Sequence, residues 1–143
     1  MRTVRHLLEA KGHEVFAIDP GAAVIDAIRL MASKQVGAVL VMQDGALVGM
    51  LSERDYARKV VLEGLSSKST PVREIMTADV VTVGLDDHVP RCMEIVTRQR
   101  IRHLPVVDAG GTVLGLVSIG DLVKAVIEDQ QIELDQLHSY IAG

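Results

Sequence analysis

Two stretches decide the fold: Val36-Gly-Ala-Val-Leu-Val-Met-Gln-Asp-Gly-Ala-Leu-Val-Gly-Met-Leu-Ser-Glu-Arg-Asp55 and Ile101-Arg-His-Leu-Pro-Val-Val-Asp-Ala-Gly-Gly-Thr-Val-Leu-Gly-Leu-Val-Ser-Ile-Gly-Asp121. One extra residue near Ala109–Gly111 lays Gly49, Ser52 and Asp55 onto Gly115, Ser118 and Asp121, at a constant offset of 66. Upstream of that insertion the offset is 65, so Ile28 and Met31 fall on Met93 and Val96. Further back, Val4-Arg-His-Leu-Leu matches Val72-Arg-Glu-Ile-Met at an offset of 68. An internal repeat of this length governs the architecture. The chain divides into residues 1–65 and 66–143, with a Ser-rich joint at Leu62–Pro71 that carries Gly64 and reads as a loop.

Each half has the same order of elements. A short apolar segment, Val15–Ile18 or Val80–Val83, reads as a strand. A helix follows, with Asp19-Pro20 as its start in the first half and Asp86-Asp87 as an acidic first turn in the second. Two strands come next, Ala38–Met42 with Ala46–Leu51 and Leu104–Val107 with Val113–Val117, hinged at Asp44-Gly45 and Gly110-Gly111. A second helix begins at Ser52 or Ser118. The last helix runs on past Val126 toward Ile141, with Ile127, Leu134, Leu137 and Ile141 as an apolar stripe. The fold class is α+β. A half of about 65–70 residues without disulfide or metal has a marginal core by itself, so the two halves are expected to pack sheet to sheet about a pseudo-twofold axis, with a cleft on either side. Seams between repeated units are common ligand sites.

Composition narrows the function. Of 143 residues only Phe16, Tyr56 and Tyr140 are aromatic, while 48% are hydrophobic, so the core is aliphatic. A stacking platform for single-stranded nucleic acid needs several aromatics, and a formal charge of −4 gives no footprint for a phosphate backbone. No apolar run approaches the roughly 20 residues that span a bilayer. Met-Arg-Thr-Val-Arg-His at the start lacks a signal-peptide core. A single cysteine, Cys92, excludes an intramolecular disulfide and fits a reducing compartment. Neither nucleic acid nor membrane is an expected partner, and the expected location is the cytoplasm.

The repeated order, together with Ile101-Arg-His-Leu-Pro-Val-Val-Asp108, Gly115-Leu-Val-Ser-Ile-Gly-Asp121, Gly49-Met-Leu-Ser-Glu-Arg-Asp55 and Val72-Arg-Glu-Ile-Met-Thr77, resembles a tandem pair of CBS (cystathionine β-synthase) domains. Such a pair is a Bateman module, here of the stand-alone kind. The resemblance implies binding of adenosine nucleotides (AMP first, then ADP, ATP, NAD(H) or S-adenosylmethionine) as a regulatory signal to an effector protein, without catalysis. It also implies disc-like homodimers, which the positive mean hydropathy of +0.27 and the apolar C-terminal stripe favour too.

Gly-x-x-Ser-x-x-Asp, where a strand enters a helix, suits such a ligand. Glycine lets a ligand approach the backbone, serine and the first helical amides attract phosphate, and an ionised aspartate accepts from both ribose hydroxyls. By the resemblance, Asp55 and Asp121 take the ribose while Ser52 and Ser118 face sugar or phosphate, with Thr77 at the opening of the second repeat. Phosphate partners differ between the halves: Arg102 and His103 stand where the first half has Gly37 and Ala38, and Arg54 stands where the second has Gly120. Unlike clefts suit unlike ligands. Val15, Met50, Val80 and Leu116 are candidates to hold adenine, beside backbone around Ala38, Leu104 and Pro105. The competing reading is structural, because Ser-x-x-Asp is also close to a capping box. On that reading the chain is an interaction scaffold with vestigial clefts.

Catalytic patterns are missing. Gly115-Leu-Val-Ser-Ile-Gly120 fails the Gly-x-Ser-x-Gly elbow because residue 116 is Leu. No Gly-x-Gly-x-x-Gly or Gly-x-x-x-x-Gly-Lys occurs, and the five histidines lack metal-site spacing. The expectation is a non-enzyme with no metal and no catalytic cofactor.

Overall fold

Asp44 and Gly45 both take positive φ, 51° and 78°, the backbone of a two-residue turn whose twist suits a hairpin. That turn joins β2 (Ala38–Gln43) to β3 (Ala46–Ser52), with Ala38 opposite Ser52 and Leu40 opposite Met50. A short β1 (Ala17–Ile18) adds a parallel edge beside Leu40 and Val41. In the second half the hairpin is β4 (His103–Val107) and β5 (Val113–Ser118), a two-stranded sheet. The computed structural model describes residues 2–142, and its mixed α+β architecture with two small sheets matches the fold class read from the sequence.

Val80–Val83 does not form the strand expected of it. Val83 alone makes a parallel bridge to Val106, donating its N–H to the Pro105 carbonyl (3.0 Å) and accepting from the Val107 N–H (2.9 Å). The reason is one missing donor. In the first half Leu40 N donates to Phe16 O at 2.9 Å, and the position equivalent to Leu40 is Pro105, which has no N–H. Pro105 sits mid-strand on the outer edge of β4, where the loss is tolerated.

The helices start later than the sequence suggested. α2 spans Val24–Lys34 with Ala23 as its cap, and Asp19-Pro20 lies in the turn before it. There Asp19 Oδ1 accepts from Gly21 N (2.7 Å) and Asp19 O accepts from Ala22 N (3.1 Å). Likewise α5 spans Val89–Gln99 with Pro90 in its first turn and no acidic residue there. Asp87 Oδ2 instead accepts from Gly84 N at 2.7 Å, and Asp86 pairs with Arg5 at 3.0 Å. In both places the carboxylate stabilises a turn, a local option that competes with helix capping. Both helices end on a left-handed residue, Gln35 (φ 56°) and Arg100 (φ 55°).

The remaining helices are α1 (Val4–Lys11), α3 (Glu53–Tyr56) continued by a π-helical turn at Ala57–Val61, α4 (Val72–Ile75) and α6 (Ile119–Ala142). Two compact units result, and they do not follow the repeat boundary. One contains the residues up to His13, Thr82–Ala109 and those from Leu114 on; the other contains Glu14–Val81 and Gly110–Val113. Each repeat therefore lends its opening helix to the body of the other. In the first unit Val4 N donates to Asp87 O (2.9 Å), Arg5 N to Leu85 O (2.9 Å) and Val89 N to Arg2 O (3.0 Å). The second unit repeats all three: Val72 N to Ala22 O (2.8 Å), Arg73 N to Pro20 O (2.9 Å) and Val24 N to Thr70 O (2.9 Å).

Packing follows from that exchange. Val24, Ala27 and Met31 line one face of α2 and bury against Val39, Val41 and Leu51, with Val72 and Ile75 of α4 closing the cluster. In the other unit Val89, Cys92 and Val96 keep the same spacing on α5, and α1 supplies Val4, Leu7 and Leu8, all buried. Both cores are aliphatic, and burying each such side chain stabilises the fold by about 1.5–3 kcal/mol.

Candidate functional site

In the unit built on the first hairpin, β3 delivers Ser52 in extended backbone to the start of α3. Ser52 Oγ accepts from Asp55 N (3.2 Å), while Asp55 Oδ2 accepts from Ser52 N (3.0 Å) and Ser52 Oγ (3.1 Å). Glu53 N donates to Gly37 O at 3.0 Å, which sets Gly37 and Ala38 beside this turn. Met50 and Thr77 exchange both backbone hydrogen bonds (2.8 and 2.9 Å), and Thr77 Oγ1 donates to Asp55 Oδ1 at 3.4 Å. Gly37, Ala38, Met50, Ser52, Asp55 and Thr77 thus converge. Val15 and Val80 are partly buried in the same unit, and Arg54 is exposed in the first turn of α3.

The second hairpin builds the same turn in the other unit. Asp121 Oδ2 accepts from Ser118 N (2.8 Å) and Asp121 N donates to Ser118 Oγ (3.2 Å). Ile119 N donates to Arg102 O at 2.8 Å, the counterpart of the bond at Gly37. Arg102 is exposed, His103 half-buried, and Leu104 and Pro105 buried behind them in β4, while Leu116 is half-buried in β5 and Gly120 exposed at the start of α6. The structural reading of Ser-x-x-Asp is realised at both places: each pair is a capping box, whose carboxylate lies only partly buried.

The glycine of the motif has a different role from the one inferred. A Cβ on Gly115 would lie 2.8 Å from Leu8 Cδ2, and one on Gly49 would lie 2.6 Å from Met76 Sδ and 3.0 Å from Thr77 O. Leu8 and Met76 are equivalent positions of the two repeats. Each glycine makes room for the opening segment that the other repeat contributes, rather than for a ligand.

Two lysines escaped the sequence reading. Lys11 Nζ lies 2.6 Å from Asp121 Oδ2 and 2.8 Å from Leu116 O. Lys59 Nζ lies 3.1 Å from Asp55 Oδ1 and 3.0 Å from Ile75 O. Lys59 was detectable as an i,i+4 partner of Asp55; Lys11 reaches Asp121 only because α1 packs in that unit. Partial burial alone raises the Asp121 carboxyl, but the hydrogen bond and charge of Lys11, with the Ser118 amide, outweigh it and hold the pKa below the ordinary 3.8. A depressed folded pKa gives stability that is fully present above the unfolded value and lost as pH falls through the folded one. Lys11→Met therefore lowers stability near neutral pH by less than about 1 kcal/mol, since the pair is partly exposed. The part of that difference owed to the ion pair vanishes in urea titrations below the folded pKa of Asp121, while the part owed to the bond to Leu116 O remains. A deficit unchanged into strong acid would assign the effect to that bond and to lost packing of the lysine stem.

A pocket of about 390 Å³ opens between α1 and the end of β4, with Arg5, Asp86, Asp87 and Asp108 on its walls. None of the candidate residues lines it. Among the described residues no group of three or more His, Cys, Asp and Glu is placed to hold a metal ion, and no helix is long and apolar enough to cross a membrane.

Comparison with known proteins agrees with this geometry. The CBS domain model matches twice, at residues 4–62 and 72–128. The CBS domain-containing protein CBSX3, mitochondrial, of Arabidopsis thaliana is 45% identical over 125 residues, 84% of this chain and 60% of its own length. The chain thus spans about three fifths of that relative. A putative signal-transduction protein with CBS domains from Burkholderia ambifaria superposes with a TM-score of 0.86 at 48% identity, covering 90% of this chain and 96% of its own. The CBS domain protein PAE2072 from Pyrobaculum aerophilum, solved in complex with AMP, gives 0.75 at 26% identity over 84% and 89% of the two chains.

Proposed function

The chain belongs to the CBS domain family, and from that premise we propose that it is a non-catalytic regulatory module that binds an adenosine nucleotide, AMP first, and relays its presence to an effector protein. One observation carries the reading. Both repeats hold an aspartate in the same way at the end of a strand, on a helix start, with a lysine against it. Ribose hydroxyls donate to Asp55 or Asp121 in charge-assisted bonds of about 1.5–3 kcal/mol each. The displaced Lys59 or Lys11 then turns to phosphate, with Arg54 on one side and Arg102 and His103 on the other. Adenine rests on aliphatic side chains, Val15, Met50 and Val80 in one unit and Leu116 in the other. PAE2072 with AMP is the precedent that puts AMP before ADP, ATP and NAD(H). The reading includes self-association and a reducing compartment such as the cytoplasm.

A second reading has its own support. Each Ser–Asp pair already completes a capping box, so the motif is explained without a ligand, as in a scaffold that acts through protein contacts. A thermal-shift panel of AMP, ADP, ATP, NAD(H) and S-adenosylmethionine separates the two. At 100 times its dissociation constant the true ligand adds about 2.7 kcal/mol, which raises Tm by roughly 5–10 °C for a chain this long. No shift with any of the five leaves the scaffold reading.

A further inference from the structure

Lys11 closes α1, and its place follows from the packing of that helix. Leu8 is fully buried in the space that Gly115 leaves open. Residues three apart on a helix share a face, so the helix that seats Leu8 against Gly115 carries Lys11 to the next residue of β5. There the ammonium donates to Leu116 O at 2.8 Å and to Asp121 Oδ2 at 2.6 Å. Gly12, with φ 96°, ends the helix immediately afterwards. The helix is held by its buried leucine, while the lysine side chain, 37% exposed, has a flexible stem and three donors to aim elsewhere. The other turn is built differently. Lys59 reaches Asp55 from four residues along the same helical segment, and Asp55 also accepts from Ser52 Oγ and Thr77 Oγ1. At the position of Lys59 the second repeat has the buried Ala125, so the second turn takes its cation from α1 instead.

We infer that Lys11 determines ligand specificity at the Asp121 turn: it reserves that carboxylate for an adenosine carrying a 5′-phosphate and turns away the uncharged nucleoside. This deepens the nucleotide reading above and rests on it. Ribose must take Asp121 from an ammonium 2.6 Å away, and a neutral hydroxyl competes poorly with a charged donor. A bare nucleoside offers the released ammonium nothing in return. A 5′-phosphate offers it an anion, with Arg102 tied to the same turn through its carbonyl, which accepts from Ile119 N. The lysine therefore opposes one ligand and assists the other, and specificity is that difference of affinities.

Paired calorimetric titrations of adenosine and AMP into the full chain test it, in an Asp55→Asn background so that the Asp121 turn alone reports. With Lys11 in place AMP binds more tightly than adenosine. Lys11→Met tightens adenosine and weakens AMP, so the ratio of their dissociation constants falls by about tenfold or more, the worth of one charge-assisted bond. Lys11→Arg keeps the positive charge and most of the ratio. A merely structural role for Lys11 would weaken both ligands alike and leave the ratio unchanged. If AMP binds but Lys11→Met holds adenosine no more tightly than the Lys11 protein does, the assignment is overturned and the nucleotide reading stands. If the Asp55→Asn protein binds neither ligand, the Asp121 turn holds no nucleotide, and the assignment falls together with that reading.

Discussion

Leu8→Ala will cost about 2–5 kcal/mol of unfolding free energy in denaturant titrations, although Leu8 belongs to a short helix near the start of the chain. Leu8 is fully buried, and its δ-methyls fill the space that Gly115 leaves open. Truncation removes the transfer energy of three carbons and leaves a cavity floored by a strand that has no side chain to fill it. For a domain whose total stability is about 5–15 kcal/mol, that is a large fraction. Leu62→Ala, at a position 77% exposed, is the control and should change stability by less than about 0.5 kcal/mol. A small effect at Leu8 would mean that α1 frays from its unit, and the exchange of opening helices would lose its energetic basis.

Asp55→Asn and Asp121→Asn have the second largest expected effect, on binding rather than folding. An asparagine oxygen still accepts from the Ser52 or Ser118 amide, so the cap survives and stability moves by less than about 1 kcal/mol. On the proposed reading, what goes is the charge that strengthens two ribose hydrogen bonds. Replacing two charge-assisted bonds by neutral ones weakens AMP by about 2–3 kcal/mol, roughly 30- to 150-fold, at the substituted turn. The two variants should not behave alike, since the turns offer phosphate different cations. Equal, unaltered affinity in both would place the ligand elsewhere.

Much of this was legible from residues alone because the informative contacts are local. Asp44-Gly45 sets its hairpin through two positive φ angles, and Ser52 with Asp55 closes a box within one turn. The repeat added what a single copy lacks, since Ser118 and Asp121 reproduce that box 66 residues on. Failures came where distant chain intervenes. Nothing near Leu8 says that it meets Gly115, so the motif glycine looked like a ligand approach, and Lys11 went unseen. Asp19 and Asp87 are good helix caps by type, yet both carboxylates are taken by turns that present backbone to α4 or α1. Val80–Val83 has the composition of a strand, but its partner at the key position is a proline.

If two equivalent carboxylates hold an adenosine nucleotide, calorimetric titration of AMP into the full chain will register it. The wild type should give a saturable heat, and the Asp55→Asn/Asp121→Asn double variant none at the same concentrations, with its melting close to wild type. A wild type that gives no heat, or a double variant that binds AMP as tightly as the wild type, would contradict it.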